Sequence, residues 1–585
     1  MKRHKALRKW GLIIIGLPLF ASQASAQEDK KITFHGSVQT DWLVPQSDEK
    51  IGTEESEDAV LNNTYVDLMM QSQQVDAGLR LEYLDHPLQG FEPGFKGWGV
   101  PHFFVKGKIK GADMTVGTFY EQFGSGLIFR TYQERSLGID NSLMGARIHV
   151  DAVKGLNLKA VAGVQRTYWD WKMDNWVYGL DAELDFTQYF QRLRDNAWYW
   201  TLGGSWVGKY EDEENLLISG TNYRLHLPRF VNAFNARTQV EKGNFSALAE
   251  YAWKGQDPSF DNGYTYHRGH VETVTLTYSK KGISAQASAK RSEDMSFRSQ
   301  RSAYGIGAYI NNMQPFAYQH TYALAALYPY ATQYGKNDET ALIPGEWAFQ
   351  GSFAYSLFPW NKTKQGKKYA SHLKLNFSHI RGLDYTAEPK NFTTTDAAGN
   401  TVGGSTWGTD GYTTTFFGMS SDPFYQDINL QLDQKLGKSW KLNLMYMRQN
   451  YNQTIVEGHG GEIKSNIYVG EAKWTINKKL TLRGELQYLG VANNHESGDW
   501  IHGLLELSVL PKFMFTVSDM YGSPYLGGQY TKKQHYYMGS VTFTHKSHRL
   551  MVGYGRTRAG FNCSGGVCRW VPASYGAQAS YNYSF

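Results

Sequence analysis

The feature that most constrains this chain is an alternation of apolar and polar side chains that recurs from Ile32 to the carboxyl terminus. Side chains of a β-strand point alternately to opposite faces, so a period of two residues predicts strands with one apolar and one polar side. The last eleven residues show this best, with one face formed by Tyr575, Ala577, Ala579, Tyr581, Tyr583 and Phe585, and the other by Gly576, Gln578, Ser580, Asn582 and Ser584.

Several of these runs carry charges on their polar side. Two examples are Ile428, Leu430 and Leu432 alternating with Asp427, Asn429, Gln431 and Asp433, and Leu482 and Leu486 alternating with Arg483 and Glu485. So many charges cannot lie between two packed sheets, but they can line a wet lumen while the apolar side chains face lipid. The pattern therefore predicts an all-β fold, a transmembrane antiparallel β-barrel.

Residues 1–26 have the three parts of a cleavable secretory signal: basic residues, an apolar run at 10–21, and Ala24-Ser25-Ala26 before Gln27. The apolar run is shorter than the roughly 20 residues of a membrane-spanning helix, which disfavours an anchor. Without the five basic residues of this segment the formal charge falls from +6 to +1, so it does not indicate a nucleic-acid partner. We predict a signal peptide at 1–26 and a single barrel domain at 27–585.

Short connectors with glycine or lysine separate many of the runs, for example Lys110-Gly111-Ala112-Asp113 and Lys280-Lys281-Gly282. Glycine supplies the positive φ that tight hairpins need. Longer irregular stretches, predicted to be extracellular loops, are 47–58, 86–99, 124–142, 293–345 and 382–422. Pairing the runs gives roughly 24 strands, with 20 to 26 compatible. A first strand directly after the signal leaves no room for a separate plug domain, so the long loops are expected to narrow the lumen.

Segment 117–147 is the main candidate for an inward loop. Around the break Gly124-Ser125-Gly126 it carries six charged residues, Glu121, Arg130, Glu134, Arg135, Asp140 and Arg147. Opposite charges in a narrow lumen can pair through forked hydrogen bonds and fix a constriction. The alternatives are a structural salt-bridge lattice that holds the loop, and a solute site in which the three arginines bind an anionic or zwitterionic solute.

Segment 319–333, QHTYALAALYPYATQ, is the second candidate. It contains the apolar and aromatic residues Tyr322, Leu324, Leu327, Tyr328 and Tyr330. These side chains could form a plug, a contact surface for another protein, or a platform on which sugars stack. They could equally belong to a loop that packs on the mouth of the barrel.

The remaining candidate sites are few. Cys563 and Cys568 are the only cysteines, and in an exported protein they predict a disulfide around a small loop. Histidines are scattered, and the run Gly458-His459-Gly460-Gly461 has no catalytic partner at a recognisable spacing. The acidic residues of 47–58 lack the order and the glycine of a calcium loop. We therefore predict no enzymatic activity, no cofactor and no metal.

Three segments resemble a family of uncharacterised outer-membrane β-barrel proteins of the Bacteroidota. They are FYEQFGSGLIFRTYQERSLGIDNSLMGAR, QHTYALAALYPYATQ and GGVCRWVPASYGAQASYNYSF. The end of the chain, with Tyr581, Tyr583 and Phe585, is also similar to the closing strand of bacterial outer-membrane barrels. The resemblance implies the outer membrane as location, its lipid as surroundings and its assembly machinery as a partner during biogenesis. It implies no reaction and no ligand.

Two functions are compatible with these expectations. One is a porin-like channel for small polar solutes, with Arg130, Glu134, Arg135, Asp140 and Arg147 at its constriction. The other is a non-transporting structural or accessory subunit of an outer-membrane protein complex, which would dock through its outer loops and especially through 293–345.

Overall fold

A computed structural model describes residues 32–585 apart from 213, 218–221, 223, 304–306, 334, 337–341, 358–370, 388–392, 396–400, 404–407, 494, 524, 527–528, 531–532 and 565–566. The predicted signal peptide at 1–26 lies outside the described residues.

Twenty-four antiparallel strands form one closed wall. Each strand pairs with its neighbours along the chain, and the last strand pairs with the first, from Ser37 opposite Ser584 to Pro45 opposite Gly576. This pairing closes the ring, so the wall has no free edge. The predicted barrel is confirmed, and its 24 strands agree with the predicted number.

The strands are β1 Thr33–Pro45, β2 Leu61–Gln71, β3 Val75–Leu84, β4 Gly97–Ile109, β5 Ala112–Phe119, β6 Leu143–Val153, β7 Leu156–Thr167, β8 Trp176–Asp185, β9 Trp198–Tyr210, β10 Phe230–Lys242, β11 Phe245–Lys254, β12 Gly269–Lys280, β13 Ile283–Glu293, β14 Gly345–Leu357, β15 Ser371–Ala387, β16 Tyr412–Lys435, β17 Trp440–Asn452, β18 Glu462–Thr475, β19 Leu480–Val491, β20 Asp499–Val509, β21 Phe513–Ser523, β22 Gln534–His545, β23 His548–Thr557 and β24 Ser574–Ser584.

Burial on this wall is the reverse of burial in a soluble protein. On β16, Ile428 and Leu430 are about half exposed, at 49% and 50%, whereas Asp427 and Asn429 are 4% and 1% exposed. Apolar side chains on the outside and polar ones on the inside are stable together only when lipid surrounds the wall. Phe585, which is 54% exposed, extends the apolar side of β24 in the same way.

Most connections at one end of the barrel are short. Residues 110–111 and 154–155 are two-residue turns, in which Gly111 and Gly155 have φ of 76° and 73°, a region that residues with a Cβ rarely occupy. A longer connection at this end, 186–197, contains the 3₁₀ turn Phe186–Gln188 and the helix α1 Gln191–Asp195. The predicted connectors therefore lie where short turns were expected.

The other end carries the long loops, with one correction. The stretch 382–422 was expected to be a loop, but β15 continues to Ala387 and β16 begins at Tyr412. Tyr385, Thr386 and Ala387 pair with Thr414, Thr413 and Tyr412, so the two strands extend beyond the barrel as a hairpin. Register shifts interrupt the pairing between Ile380 and Tyr385, and irregularities of this kind bend a strand pair.

The end of the barrel with the long loops also contains short hairpins, turns and a helix. They are the hairpins Gln133–Glu134 with Ile139–Asp140, Gly335–Lys336 with Leu342–Ile343, Thr393–Thr395 with Thr401–Gly403, Tyr525–Leu526 with Gln529–Tyr530 and Gly560–Ser564 with Val567–Val571; the strand Asp170–Trp171, which pairs with β7; the 3₁₀ turns Pro93–Phe95 and Arg135–Leu137; and the helix α2 Gln453–Glu457. A disulfide joins Cys563 to Cys568 in the last of these hairpins. Within the described ranges, no helix has the length and apolar character needed to span a membrane.

Two loops fill the interior. Loop A, residues 120–142, connects β5 to β6, and loop B, residues 294–344, connects β13 to β14. One buried apolar cluster joins Phe129 of loop A and Phe297 of loop B to inward side chains of β6 to β12. A second cluster joins Leu324 and Tyr328 of loop B to inward side chains of β14 to β20. The loops therefore pack against the inner wall and narrow the lumen from within.

Candidate functional site

The six charged residues of segment 117–147 are held in separate groups along the inner wall. Glu121, at the start of loop A, accepts hydrogen bonds from Arg147 Nε of β6 at 2.5 Å and from Lys159 Nζ of β7 at 3.0 Å. Arg147 also binds Asp113 of β5 at 3.0 Å. Burial alone would raise the pKa of Glu121, but the hydrogen bonds from the Gln122 N–H and from Arg147 outweigh it and lower that pKa. This group anchors the first residues of loop A to three strands.

Asp140 occupies the second group, which is almost fully buried. Its carboxylate lies 2.7 Å from Arg166 Nη1 and 3.3 Å from Arg80 Nη1, and Arg166 Nη2 reaches Glu82 at 2.7 Å. Burial alone would raise the pKa of Asp140, but Arg166 and Arg80 hold it below its usual range. The adjoining gap, lined also by Arg135, is about 10 Å³ and admits at most one water. This geometry fits a structural lattice better than a solute site.

The other three residues contact three different parts of the molecule. Arg135 Nη2 binds Asp67 of β2 at 2.6 Å, and its guanidinium lies 4.6 Å above the ring of Tyr65. Glu134 caps the turn Arg135–Leu137 and accepts a hydrogen bond from Ser564 of the disulfide hairpin at 2.8 Å. Arg130 lies over Tyr132 at 4.8 Å. Within the described part of the chain, Glu121 and Arg147 are the only two of the six that pair with each other.

The five residues of segment 319–333 lie inside the barrel. Leu324, Leu327, Tyr328 and Tyr330 are at most 6% exposed, and Tyr322 is half-buried. The Leu324 N–H donates to Gln487 Oε1 of β19 at 2.8 Å, and the Tyr330 hydroxyl donates to Glu346 of β14. Buried side chains are not available to another protein or to a sugar, so their placement is that of a plug.

Tyr322 differs from the other four because it faces charged residues of the inner wall. Burial, together with the nearby carboxylates of Glu471, Glu485 and Asp433, raises the pKa of Tyr322 to about 12. The phenol therefore stays protonated at neutral pH, beside a group of negative charges.

Three buried lysines attach loop B to the wall, and sequence reasoning missed them. Lys209, Lys254 and Lys290 point inward from β9, β11 and β13, and each is at most 1% exposed. Their Nζ atoms donate to carbonyl oxygens of loop B at 2.8, 2.6 and 3.0 Å, those of Arg298, Ser296 and Gln314. A lysine near the outer end of an alternating strand was the available signal, but its partner is a backbone oxygen tens of residues away.

Loops A and B also bind each other, so they form one body. The Arg130 N–H donates to the Ile310 carbonyl at 2.8 Å, and the Asn312 N–H donates to the Gly126 carbonyl at 3.1 Å. Gly124 has φ of 53°, and a Cβ there would lie 2.4 Å from Glu250 Oε1 of β11. At the Gly124-Ser125-Gly126 break, loop A therefore packs directly against β11, where the Ser125 N–H donates to Glu250 Oε1 at 3.2 Å.

Loops A and B cover one sector of the inner wall less than they cover the rest. Several inward side chains of β21 to β24 and of β1 are half-buried, namely Ser518, Ser540, Gln578, Ser580 and Asp41. The inward residues against which loops A and B pack are fully buried, for example Val207 of β9 and Met447 of β17, both 0% exposed. We call the inward face of β21 to β24 and β1 the open sector. Its lining combines methionines such as Met514, Met538 and Met551 with serine, glutamine and aspartate side chains, and these polar groups can line a wet passage.

Comparison with solved structures finds other barrels of low sequence similarity. The chain is similar to the siderophore receptor PirA from Pseudomonas aeruginosa, with 9% identity, a TM-score of 0.39, and coverage of 96% of this chain and 81% of that chain. It is similar to a mutant of the ferric enterobactin receptor PfeA from the same organism, with 9% identity, a TM-score of 0.42 and the same coverage. It is also similar to the outer membrane protein opdK from Pseudomonas aeruginosa, with 9% identity, a TM-score of 0.34, and coverage of 72% and 93%.

Family comparison covers nearly the whole chain. No curated protein is similar to it. The model of a family of unknown function, DUF6029, matches residues 7–585, which include every barrel strand, both inward loops and the disulfide hairpin. The chain therefore belongs to the family of unknown function DUF6029.

Proposed function

We propose that this protein is a channel of the bacterial outer membrane that passes small polar solutes along one side of its lumen. The observation that carries the proposal is the open sector, in which Ser518, Ser540, Gln578 and Ser580 are half-buried, whereas loops A and B fully bury inward residues such as Val207 and Met447 elsewhere on the wall. Hydroxyl and amide side chains replace the hydrogen bonds of a hydrated solute, whereas apolar walls exclude it. The solute passes between the plug and the wall, and the plug stays in place.

Arg135 belongs to this passage. It borders the open sector because Nη1 donates to Gln39 of β1 at 3.2 Å, while Nη2 holds Asp67 of β2. Its side chain is 19% exposed, so it keeps some contact with the lumen. Replacing Arg135 with alanine is expected to change the conductance, since it removes a positive charge from the edge of the passage.

The outer membrane as location, export through the signal at 1–26 and insertion by the outer-membrane assembly machinery are parts of the same proposal. The exposed apolar side chains of the outer wall, such as Val552 of β23 and Phe585 after β24, support the membrane location. An origin in the Bacteroidota also stays a prediction.

Single-channel recording in planar bilayers tests the passage. Wild-type protein is expected to conduct, and Ser540→Trp or Ser580→Trp is expected to remove most of the conductance because an indole fills the space beside the plug. The matched control is Val552→Trp, which points outward from β23 and is 50% exposed on the outer face. A silent wild-type barrel, or tryptophan variants that conduct like the control, would overturn the proposal.

A second candidate, an accessory subunit of an outer-membrane complex, is favoured by one observation. The hairpin that extends β15 and β16 carries Phe417, which is 80% exposed. A large exposed aromatic residue on a projecting element is typical of a docking surface. Gentle detergent extraction that recovers a silent barrel with a stoichiometric membrane partner, lost in Phe417→Ala, would support this candidate over the channel.

A further inference from the structure

The inner wall of β18 to β20 holds one guanidinium among three carboxylates. Arg483 of β19 lies 3.2 Å from Glu471 of β18, 2.5 Å from Glu485 of β19 and 3.4 Å from Glu506 of β20. One positive charge therefore faces three negative charges. Asp433 of β16 lies beside this group and pairs with Lys374 of β15 at 3.2 Å, so four carboxylates share two cations and the group attracts a further cation. We call Asp433, Asn443, Glu471, Glu485 and Glu506 the acidic notch.

Asn443 gives an independent indication that a ligand belongs here. It is 7% exposed, and on β17 it lies between Asp433 of β16 and Glu471 of β18. Nδ2 donates to Glu471 Oε1 at 2.7 Å, and Oδ1 has no hydrogen-bond partner among the described residues. Turning the amide over would place the oxygen beside Glu471 instead. In the first orientation the buried oxygen has no donor, and in the second it meets the carboxylate of Glu471, so a donor is needed at this position in both.

The donor that fits is a nitrogen cation. Within the described residues, no group of three or more histidine, cysteine, aspartate or glutamate side chains is arranged to hold a metal ion. An ammonium or guanidinium group instead offers several N–H donors that separate acceptors can share. Tyr322 of loop B, which interacts with Glu471 and Asp433, adds an aromatic ring, and aromatic faces attract such cations.

The notch is continuous with the open sector. Glu506 pairs with Thr516 of β21, and Thr516 pairs with Ser540 of β22. The side chains of Arg483 and Glu506 are 29% and 21% exposed, so water reaches them from the lumen. A solute in the open sector therefore meets the notch at the same height of the barrel.

We infer that the acidic notch binds the ammonium or guanidinium group of a small organic solute and makes the channel favour cations over anions. This inference rests on the proposed channel for its transport consequence, but the binding itself does not depend on conductance. The solute class is thereby narrowed from small polar molecules to small cationic ones.

Binding is tested first, on full-length protein in lipid nanodiscs. The probes are methylguanidinium and n-butylammonium, with n-butanol as the uncharged analogue, and saturation-transfer NMR reports contact. Wild-type protein is expected to bind both cations and not butanol. Glu471→Gln combined with Glu506→Gln is expected to weaken binding at least about tenfold, since two charge-assisted partners are lost.

Two further variants keep this test decisive. Glu506→Gln alone removes the longest of the three Arg483 contacts and leaves the other two, so it is expected to fold and still to bind less. Glu462→Gln lies on β18 outside the notch, where Glu462 pairs with Lys464 at 2.8 Å, and is expected to bind like wild type. Equal binding of butanol, or unchanged binding in both notch variants, would overturn the inference.

Reversal potentials under a KCl gradient test the transport consequence. Wild-type channels are expected to favour cations, and the double variant is expected to lose most of that preference. A barrel that does not conduct but still binds the cations would contradict the proposed channel and support cation binding at the acidic notch. A barrel that conducts without cation preference and does not bind the cations would contradict the binding inference and support the channel.

Discussion

At the scale of single residues, many charges inside the barrel are stabilised by buried partners of opposite charge. Arg166 is 2% exposed and lies between Glu82 and Asp140, at 2.7 Å from each. Removing one partner from such a buried group leaves an uncompensated charge, which costs more than the pair contributes. The lattice around Asp140 therefore fixes loop A more strictly than its exposed pairs do.

Replacing Arg166 with methionine tests this. The variant keeps much of the side-chain volume but leaves Glu82 and Asp140 with less positive charge, so the free energy of unfolding is expected to fall by about 3 to 5 kcal/mol. Urea unfolding followed by tryptophan fluorescence measures it. The control is Lys464→Met, from an ion pair whose lysine is 48% exposed, where a loss of about 1 kcal/mol or less is expected. Equal losses in the two variants would contradict the buried lattice.

The free energy of unfolding is expected to depend on pH through Asp294. The direction is opposite to that expected for a carboxylate whose pKa is lowered by an ion pair. It is 2% exposed at the start of loop B, and burial raises its pKa from 3.8 to about 6, although Lys254 and His267 lower it. A carboxyl that binds its proton more tightly in the folded state contributes stability that is full below about pH 4 and is lost as pH rises through 6.

Asp294→Asn is therefore expected to stabilise the protein at neutral pH and not below about pH 4. The amide oxygen still accepts from Asn262 Nδ2, which lies 3.1 Å from Asp294 Oδ1. The gain is at most about 3 kcal/mol, the equivalent of the pKa shift. Unfolding midpoints at the two pH values measure it, with the exposed Asp422→Asn as control. A variant that is less stable than wild type at neutral pH would contradict the assignment.

Sequence reasoning identified many of these residues but not their partners. Asp140, Arg135 and Arg147 were selected as a charged group, and the structure distributes them among β2, β3, β5 and β7. Partners of this kind are set by the closure of the barrel, which brings together residues distant in sequence. The acidic notch was visible only as charges alternating with leucine, because its unpaired oxygen on Asn443 depends on neighbouring strands.

At the scale of elements, the extension of β16 covers charges that face outward. Arg291 and Glu293 of β13 point away from the lumen, yet each is only 1% exposed. Arg291 donates to the Phe416 carbonyl at 3.0 Å, and Thr414 Oγ1 donates to Glu293 at 2.9 Å. Charges on an outer wall are costly next to lipid, so the extension shields them.

Phe416 and Phe417 provide a matched pair for testing the shield. The ring of Phe416 lies 4.8 Å from the guanidinium of Arg291, whereas Phe417 is 80% exposed. Phe416→Ala is expected to lower the free energy of unfolding by about 1 to 3 kcal/mol, since it removes the cation–π contact and uncovers buried charge. Phe417→Ala is expected to change it by about 0.5 kcal/mol or less. A larger loss in Phe417→Ala would mean that the extension does not shield Arg291.

The strands of this extension could not be predicted from the local sequence. The alternating runs predicted strands because a pleated strand needs only its own sequence to separate two faces. Residues 382–387 and 412–422 were assigned to a loop because they belong to a long stretch of irregular sequence. They are strands because they pair with each other and lie on β13, a contact that the sequence of either segment does not encode.

At the scale of the whole molecule, the alternation predicted the closed ring and its approximate strand number, because the wall repeats one local rule. The filling of the lumen was predicted only in outline. Segments 117–147 and 319–333 were recognised as candidate inward loops, but their union into one plug rests on backbone contacts between loops A and B, such as Arg130 with Ile310. Hydrogen bonds between backbone groups leave little trace in side-chain patterns.

Hydrogen–deuterium exchange of the full-length protein in lipid nanodiscs tests the central claim, that the barrel is narrowed by its own loops. Amides of loops A and B that donate inside the lumen, including those of Arg130, Asn312 and Leu324, are expected to exchange as slowly as amides of the barrel strands. Residues 54–57, in the loop between β1 and β2 at the outer end, serve as the rapidly exchanging reference. Exchange of loops A and B as fast as that reference would contradict the account.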